Sequence, residues 1–146
     1  MQVKNNKKIG IIGLGFVGTA IFEFFNSLVD TKIYDIKKKD ISVNSLDDLL
    51  DGRILFLCLP TPMRKTGACD VSIVSSVLDE LNTLCEGKDP ALVVIKSTIP
   101  PGTTKSFIEK YSNLSICFNP EFLTEKNFVE DFKNQDRIIL GTYDKN

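Results

Sequence analysis

The residues best suited to chemistry open the chain: Gly13-Leu14-Gly15-Phe16-Val17-Gly18. A short apolar run, Ile9 to Ile12, precedes them and reads as a buried strand. After them Phe16, Val17, Ala20, Ile21, Phe24, Phe25 and Leu28 fall on one stripe, which predicts a helix to about Asn26. Three glycines spaced G-x-G-x-x-G between strand and helix suit a phosphate. The first permits a tight turn, and the second lets a pyrophosphate reach the backbone. The third lets helix and strand pack closely, with the helix N-terminus facing the anion. A second strand, Thr31 to Tyr34, ends in Asp35, about 20 residues on, where a carboxylate can accept both hydroxyls of an adenine ribose. Together these features predict a dinucleotide site; a bare glycine-rich turn without a ligand is the plainer alternative.

Asp35 is followed by Ile36-Lys37-Lys38-Lys39-Asp40. Three lysines here suggest a 2′-phosphate and hence NADP, but a carboxylate that binds the ribose repels that phosphate. A solvated turn is the other reading of the triplet, and Asp35 favours it.

The elements that must hold these residues follow in order. Ser45 reads as the cap of a short helix from Leu46 to Leu50, and strand three as Arg53 to Leu59. Asp70 reads as the cap of a helix carrying Val71, Val74, Val77, Leu78, Leu81 and Leu84. Strand four is Ala91 to Ile95, a helix then runs to about Lys110, and strand five is Leu114 to Phe118. Strand six is Arg137 to Gly141, and residues 1–7 read as a frayed polar lead. Six strands alternating with helical segments specify an α/β fold, a Rossmann doubly wound parallel sheet of order 3-2-1-4-5-6. Ligands of such sheets bind at the carboxyl ends of the strands. Gly13 to Gly18, Asp35, Thr61, Ser97, Thr98 and Glu121 all gather on that edge.

Composition narrows the classes. With a formal net charge of −1 and no basic stripe, nucleic acid is not an expected partner. No apolar run approaches the roughly 18 residues that span a membrane, and Met1 to Asn6 lacks a signal-peptide core; a cytoplasmic protein is expected. The cysteines, Cys58, Cys69, Cys85 and Cys117, form no C-x-x-C pair, and the chain has no histidine, so no metal site is expected. Cys58 and Cys117 lie within apolar strand patterns and read as small core residues. Acid–base chemistry must then come from Glu, Asp, Lys, Tyr or water.

Asn119-Pro120-Glu121 has the composition of a helix start: a cap, a first-turn proline and a dipole-favoured acid. Glu125, four residues on, would share a face with Glu121. The pair reads either as two solvated acids on a capped helix or as facing carboxylates able to supply a base.

Ile12-Gly13-Leu14-Gly15-Phe16-Val17-Gly18, Leu59-Pro60-Thr61-Pro62, Ser97-Thr98-Ile99-Pro100-Pro101-Gly102-Thr103-Thr104 and Asn119-Pro120-Glu121-Phe122-Leu123-Thr124-Glu125 resemble successive signatures of the UDP-glucose/GDP-mannose 6-dehydrogenase family. Asp131-Phe132 and Asp136 to Gly141 continue the resemblance, which runs in order over nearly the whole chain. It implies NAD as cofactor and a nucleotide sugar, UDP-glucose or a related one, as substrate. The reaction implied is a two-step oxidation of the sugar's C6 alcohol to a carboxylate, of the kind used in polysaccharide biosynthesis. In that family a cysteine in a later domain holds the intermediate as a thiohemiacetal and then as a thioester. By the same resemblance, Gly13, Gly15, Phe16, Val17, Gly18, Asp35, Thr61, Ser97 and Thr98 would hold NAD. Thr98 would position water and Glu121 would act as the acid–base group, the two forming the catalytic pair. Phe122, Leu123, Thr124 and Glu125 would line the substrate side.

The departures are informative. Only Ile36 to Gly52 separate Asp35 from strand three, where the family has a longer segment. Lys126 and Gln135 stand where a glycine and a proline are common. The chain ends at Asn146 without the segment that carries the nucleophilic cysteine. Residues 1–146 are therefore expected to form one NAD-binding domain. The central dimerising and C-terminal nucleotide-sugar domains would be absent, and a homodimer is expected only where the central domain is present. Such a chain should bind NAD and not turn over. A stand-alone, non-catalytic NAD-binding or regulatory module is the alternative. A 3-hydroxyacid type of dehydrogenase is a third reading, against which Asn119-Pro120-Glu121-Phe122-Leu123 argues.

Overall fold

The computed structural model describes residues 5–143. Five strands alternate with helices: β1 (Asn5–Ile12), α1 (Phe16–Phe25), β2 (Val29–Tyr34), β3 (Ile54–Leu57), α2 (Ser72–Leu84), β4 (Ala91–Ile95), α3 (Thr103–Lys110), β5 (Leu114–Phe118) and α4 (Phe128–Lys133). All paired strands are parallel, in the order β2-β1-β3-β4-β5. The sheet has an apolar core on each face, because alternate strand residues point opposite ways. Ile12, Leu55, Leu57, Val93, Ile95 and Ile116 face α2 and α3, meeting Val74, Leu78, Leu81, Phe107 and Tyr111. Ile11 and Ile33 face α1, meeting Leu14 and Ile21, with Phe56, Phe25 and Phe132 packed alongside. Short α4 is held there by aromatic contacts, Phe132 to Phe24 at 5.5 Å and Phe128 to Phe16 at 5.4 Å between ring centres.

The expected α/β Rossmann-like parallel sheet is present, but the six-strand order 3-2-1-4-5-6 is not. That order needs a strand outside β2, and the segment after Asp35 is too short to supply one. It forms two 3₁₀ turns, Lys39–Ile41 and Asp47–Gly52, and passes across β1 on the α2 side. Gly10 makes the passage possible: a Cβ there would come within 2.6 Å of Leu55 and 3.1 Å of Leu49. The chain therefore enters β3 on the far side of β1. With the outermost strand dropped from 3-2-1-4-5-6 and the rest renumbered, the order becomes 2-1-3-4-5, and the crevice stays at the point where the order reverses, between β1 and β3.

Strand six is also corrected. Arg137 to Leu140 make no ladder; one antiparallel bridge, Phe118 to Gly141, replaces it. Ser45 does not cap the short turn that follows it. Instead its N–H and hydroxyl both donate to Asp48 Oδ2 at 3.0 Å. The polar lead is shorter than expected, since β1 already begins at Asn5; Met1 to Lys4 lie outside the described residues.

Candidate functional site

A cavity of about 770 Å³ runs along the carboxyl ends of the strands. Taken across the sheet, its wall is Asp35 after β2, Gly13 to Val17 after β1, Cys58 to Thr61 after β3, Lys96 to Thr98 after β4, and Glu121 with Glu125 after β5. These residues converge because every parallel strand ends on the same edge.

The glycines divide their work as the spacing predicts. Gly13 has φ of 89°, and a Cβ there would lie 2.5 Å from the Cys58 carbonyl oxygen. A Cβ on Gly18 would collide with the Gly13 carbonyl, so that glycine is what lets α1 lie against the turn. Gly15 differs: a Cβ there meets nothing within 4 Å, and the residue lies in the cavity wall. Gly15 also opens α1 without a side-chain cap. The first-turn N–H groups thus have no intrahelical acceptor and stand at an open surface, as a pyrophosphate requires. The site fits a dinucleotide.

Asp35 is fastened to this turn. Its Oδ2 accepts the Leu14 N–H at 2.7 Å, and its Oδ1 accepts those of Lys37 and Lys38 at 2.8 and 3.1 Å. Burial pushes its carboxyl up, but these three N–H donors and the Lys38 ammonium outweigh that, so the net shift is downward. Lys38 Nζ itself donates to the Leu14 carbonyl at 2.8 Å. The lysine triplet is therefore partly committed to the turn, while Lys37 and Lys39 are exposed.

At the other end, Ser97 is buried and its hydroxyl is occupied, accepting the Leu59 N–H at 2.9 Å and donating to the Leu57 carbonyl at 3.3 Å. Thr98 is exposed, and its carbonyl accepts the Thr61 hydroxyl at 2.7 Å. Cys58 lies in the cavity floor. Burial pushes its thiol up to about 12, with Lys96 opposing and Glu121 reinforcing the shift. It is a thiol, not a thiolate, near neutral pH.

The expected helix at Asn119-Pro120-Glu121 is absent. Residues 119–124 are irregular and α4 starts only at Phe128, so Glu121 and Glu125 do not share a helix face, although both line the cavity. The cause is competition for Asn119. Its N–H donates to the Ile95 carbonyl at 3.0 Å, its Oδ1 accepts from Lys96 Nζ at 2.9 Å, and its Nδ2 donates to the Ile139 carbonyl at 2.8 Å. Both ends of its side chain are thereby engaged by groups distant in sequence. Glu121 Oε1 accepts the N–H groups of Phe122 and Leu123 at 2.8 and 2.9 Å, bracing the loop from inside. Phe122 and Thr124 are exposed and, with Leu123, stand outside the cavity wall; Thr124 is tied by its N–H and hydroxyl to Asp131 Oδ2.

Lys96 escaped the sequence reading. It directly follows an apolar strand run, is only 2% exposed, and places its ammonium 3.1 Å from Glu121 Oε2. A lysine continuing a central parallel strand was the available signal, since such a position is normally apolar.

The family sequence model described as UDP-glucose/GDP-mannose dehydrogenase family, NAD binding domain, matches residues 38–146. The chain belongs to that family and is its NAD-binding domain. A UDP-glucose 6-dehydrogenase of Haloferax volcanii is 32% identical over 92% of this chain, and one of Rickettsia bellii 38% identical over 68%. This family member spans 40% and 23% of those two proteins, respectively. In fold it is similar to a solved UDP-glucose dehydrogenase from the hyperthermophilic archaeon Pyrobaculum islandicum. That likeness has a TM-score of 0.80 at 23% identity and covers 97% of this chain and 42% of that one. The family match begins at Lys38, downstream of the glycine turn.

Proposed function

We propose that this domain is the cofactor-binding part of an NAD-dependent nucleotide-sugar 6-dehydrogenase, acting on UDP-glucose or a related nucleotide sugar. The observation that carries the reading is one cavity with a phosphate turn and Asp35 toward one edge of the sheet and Thr98, Lys96 and Glu121 toward the other. NAD, when bound, supplies the hydride acceptor. Gly13, Gly15, Phe16, Val17 and Gly18 bind its pyrophosphate and Asp35 its adenine ribose. Thr61, Ser97 and Thr98 shape the nicotinamide end, where Thr98 orients water and Glu121 holds or releases a proton. Phe122 to Glu125 face the sugar nucleotide once the rest of the enzyme is in place. The nucleophilic cysteine comes from that remainder, because Cys58, half-buried in the cavity wall, is held as a thiol.

The test pairs residues 1–146 with a polypeptide that supplies the cysteine domain and follows NADH with UDP-glucose and GDP-mannose. The pair should be active where neither part is. Glu121→Gln, which keeps the shape and loses the base, should slow the assembled enzyme and let a thioester accumulate, seen as added mass on the cysteine fragment. Undiminished turnover by Glu121→Gln would remove Glu121 from the chemistry.

A further inference from the structure

We propose that Lys96 is the positioning residue for Glu121, aiming its carboxylate into the cavity; this rests on the reading of Glu121 as the acid–base group. Two oxygens of one carboxylate have different partners here. Oε1 is taken up by two backbone N–H groups of its own loop. Oε2 is buried and has no hydrogen-bond partner among the described residues; only the Lys96 ammonium stands beside it, at 3.1 Å and outside hydrogen-bonding alignment. Oε2 thus keeps unused acceptor capacity in a residue that lines the cavity, and Lys96 decides where it sits.

The lysine is equipped for that task. Its backbone N–H donates to the Leu57 carbonyl at 2.9 Å, so its stem leaves from the rigid end of β4. Its ammonium is pinned by Asn119 Oδ1, and Asn119 is held in turn by Ile95 and Ile139. Glu121, by contrast, belongs to an irregular loop whose geometry nothing periodic enforces. A fixed cation beside a loop-borne carboxylate converts a loose side chain into a directed one. Stability is a poor reason for the arrangement. Replacing a buried ion pair by apolar side chains is often neutral or stabilising, whereas removing one partner strands the other charge. Apolar residues at positions 96 and 121 together would extend the core with no such cost.

The experiment uses residues 1–146 labelled with ¹³C at glutamate carboxyls. The Glu121 resonance is identified by its loss in Glu121→Gln, and each protein is recorded free and with saturating NAD. The unmodified chain should show a Glu121 resonance that shifts when NAD binds. In Lys96→Met the NAD-induced shift should be lost although NAD still binds, because the carboxylate no longer faces the cavity. An NAD-induced shift of equal size in folded Lys96→Met would overturn the proposal and leave the role of Glu121 standing. A Glu121 resonance indifferent to NAD in the unmodified chain would sink both. Should Lys96→Met not fold, Asn119→Ala decides: it keeps both charges and releases the pin, together with the Ile139 contact on the far side of the amide. It should at least halve the shift, and an undiminished shift would again overturn the inference.

Discussion

The carboxylate of Asp35 accepts the backbone N–H of Leu14 at 2.7 Å, tying the end of β2 to the middle of the glycine turn. The residue proposed to meet the ribose therefore also sets the shape of the glycine turn. Three of the carboxylate's roughly four acceptor sites are used, which leaves one on Oδ2 for a ligand. On the proposed reading, cofactor recognition and local folding share a single side chain.

Asp35→Ala should accordingly weaken NAD binding by more than one lost contact. Hydrogen bonds to a charged group are worth about 1.5–3 kcal/mol each, so a loss of roughly ten- to a hundredfold in affinity is expected. The unmodified chain should prefer NAD to NADP. Calorimetric titration with both cofactors checks this, and tighter binding of NADP would refute it.

The same carboxyl predicts an acid limb. Its folded pKa is depressed, so its contribution to stability is fully present above the ordinary aspartate value and is lost as the pH falls through the folded value. Melting temperatures of the unmodified chain and of Asp35→Asn should differ most above the ordinary aspartate range and converge as the pH falls below it. A constant gap across that range would contradict the assignment.

Three glycine substitutions should divide into two kinds of result. Gly15→Val meets open space at an ordinary φ of −78°, so the domain should stay folded and lose NAD binding. Gly13→Ala puts a Cβ at positive φ, 2.5 Å from the Cys58 carbonyl, and should cost about 1–2 kcal/mol or more. Gly18→Ala should destabilise by collision with the Gly13 carbonyl. Circular dichroism melts read beside NAD titrations separate the cases; normal affinity in Gly15→Val would misplace the phosphate loop.

Residues 1–146 alone should yield no NADH from any nucleotide sugar, since the cavity's own cysteine is held as a thiol by burial. Cys58 should alkylate with iodoacetamide slowly near neutral pH, and much more slowly than in the denatured chain. Robust NADH production abolished by Cys58→Ala would give that residue the nucleophilic role denied to it above.

Local chemistry made much of this protein legible before any coordinates. Ala91–Ile95 and Leu114–Phe118 stand as strands where their apolar runs placed them, and α1 follows the glycines, because burial periodicity and backbone permissiveness act over a few residues. The carboxyl-edge cavity followed too, since parallel strands put all their ends on one side. Other features depended on partners distant in sequence. Asn119 has the composition of a helix cap, yet contacts with Lys96, Ile95 and Ile139 hold it in a loop, and α4 begins only at Phe128. The strand order turned on whether the chain after Asp35 could cross β1, which hangs on the space that Gly10 leaves beside Leu49 and Leu55. Lys96 looks like a strand terminus until folding buries its ammonium against Glu121. Short-range preference is written residue by residue along the chain, whereas the owner of a hydrogen bond or a space is settled by whichever distant group arrives there when the sheet closes.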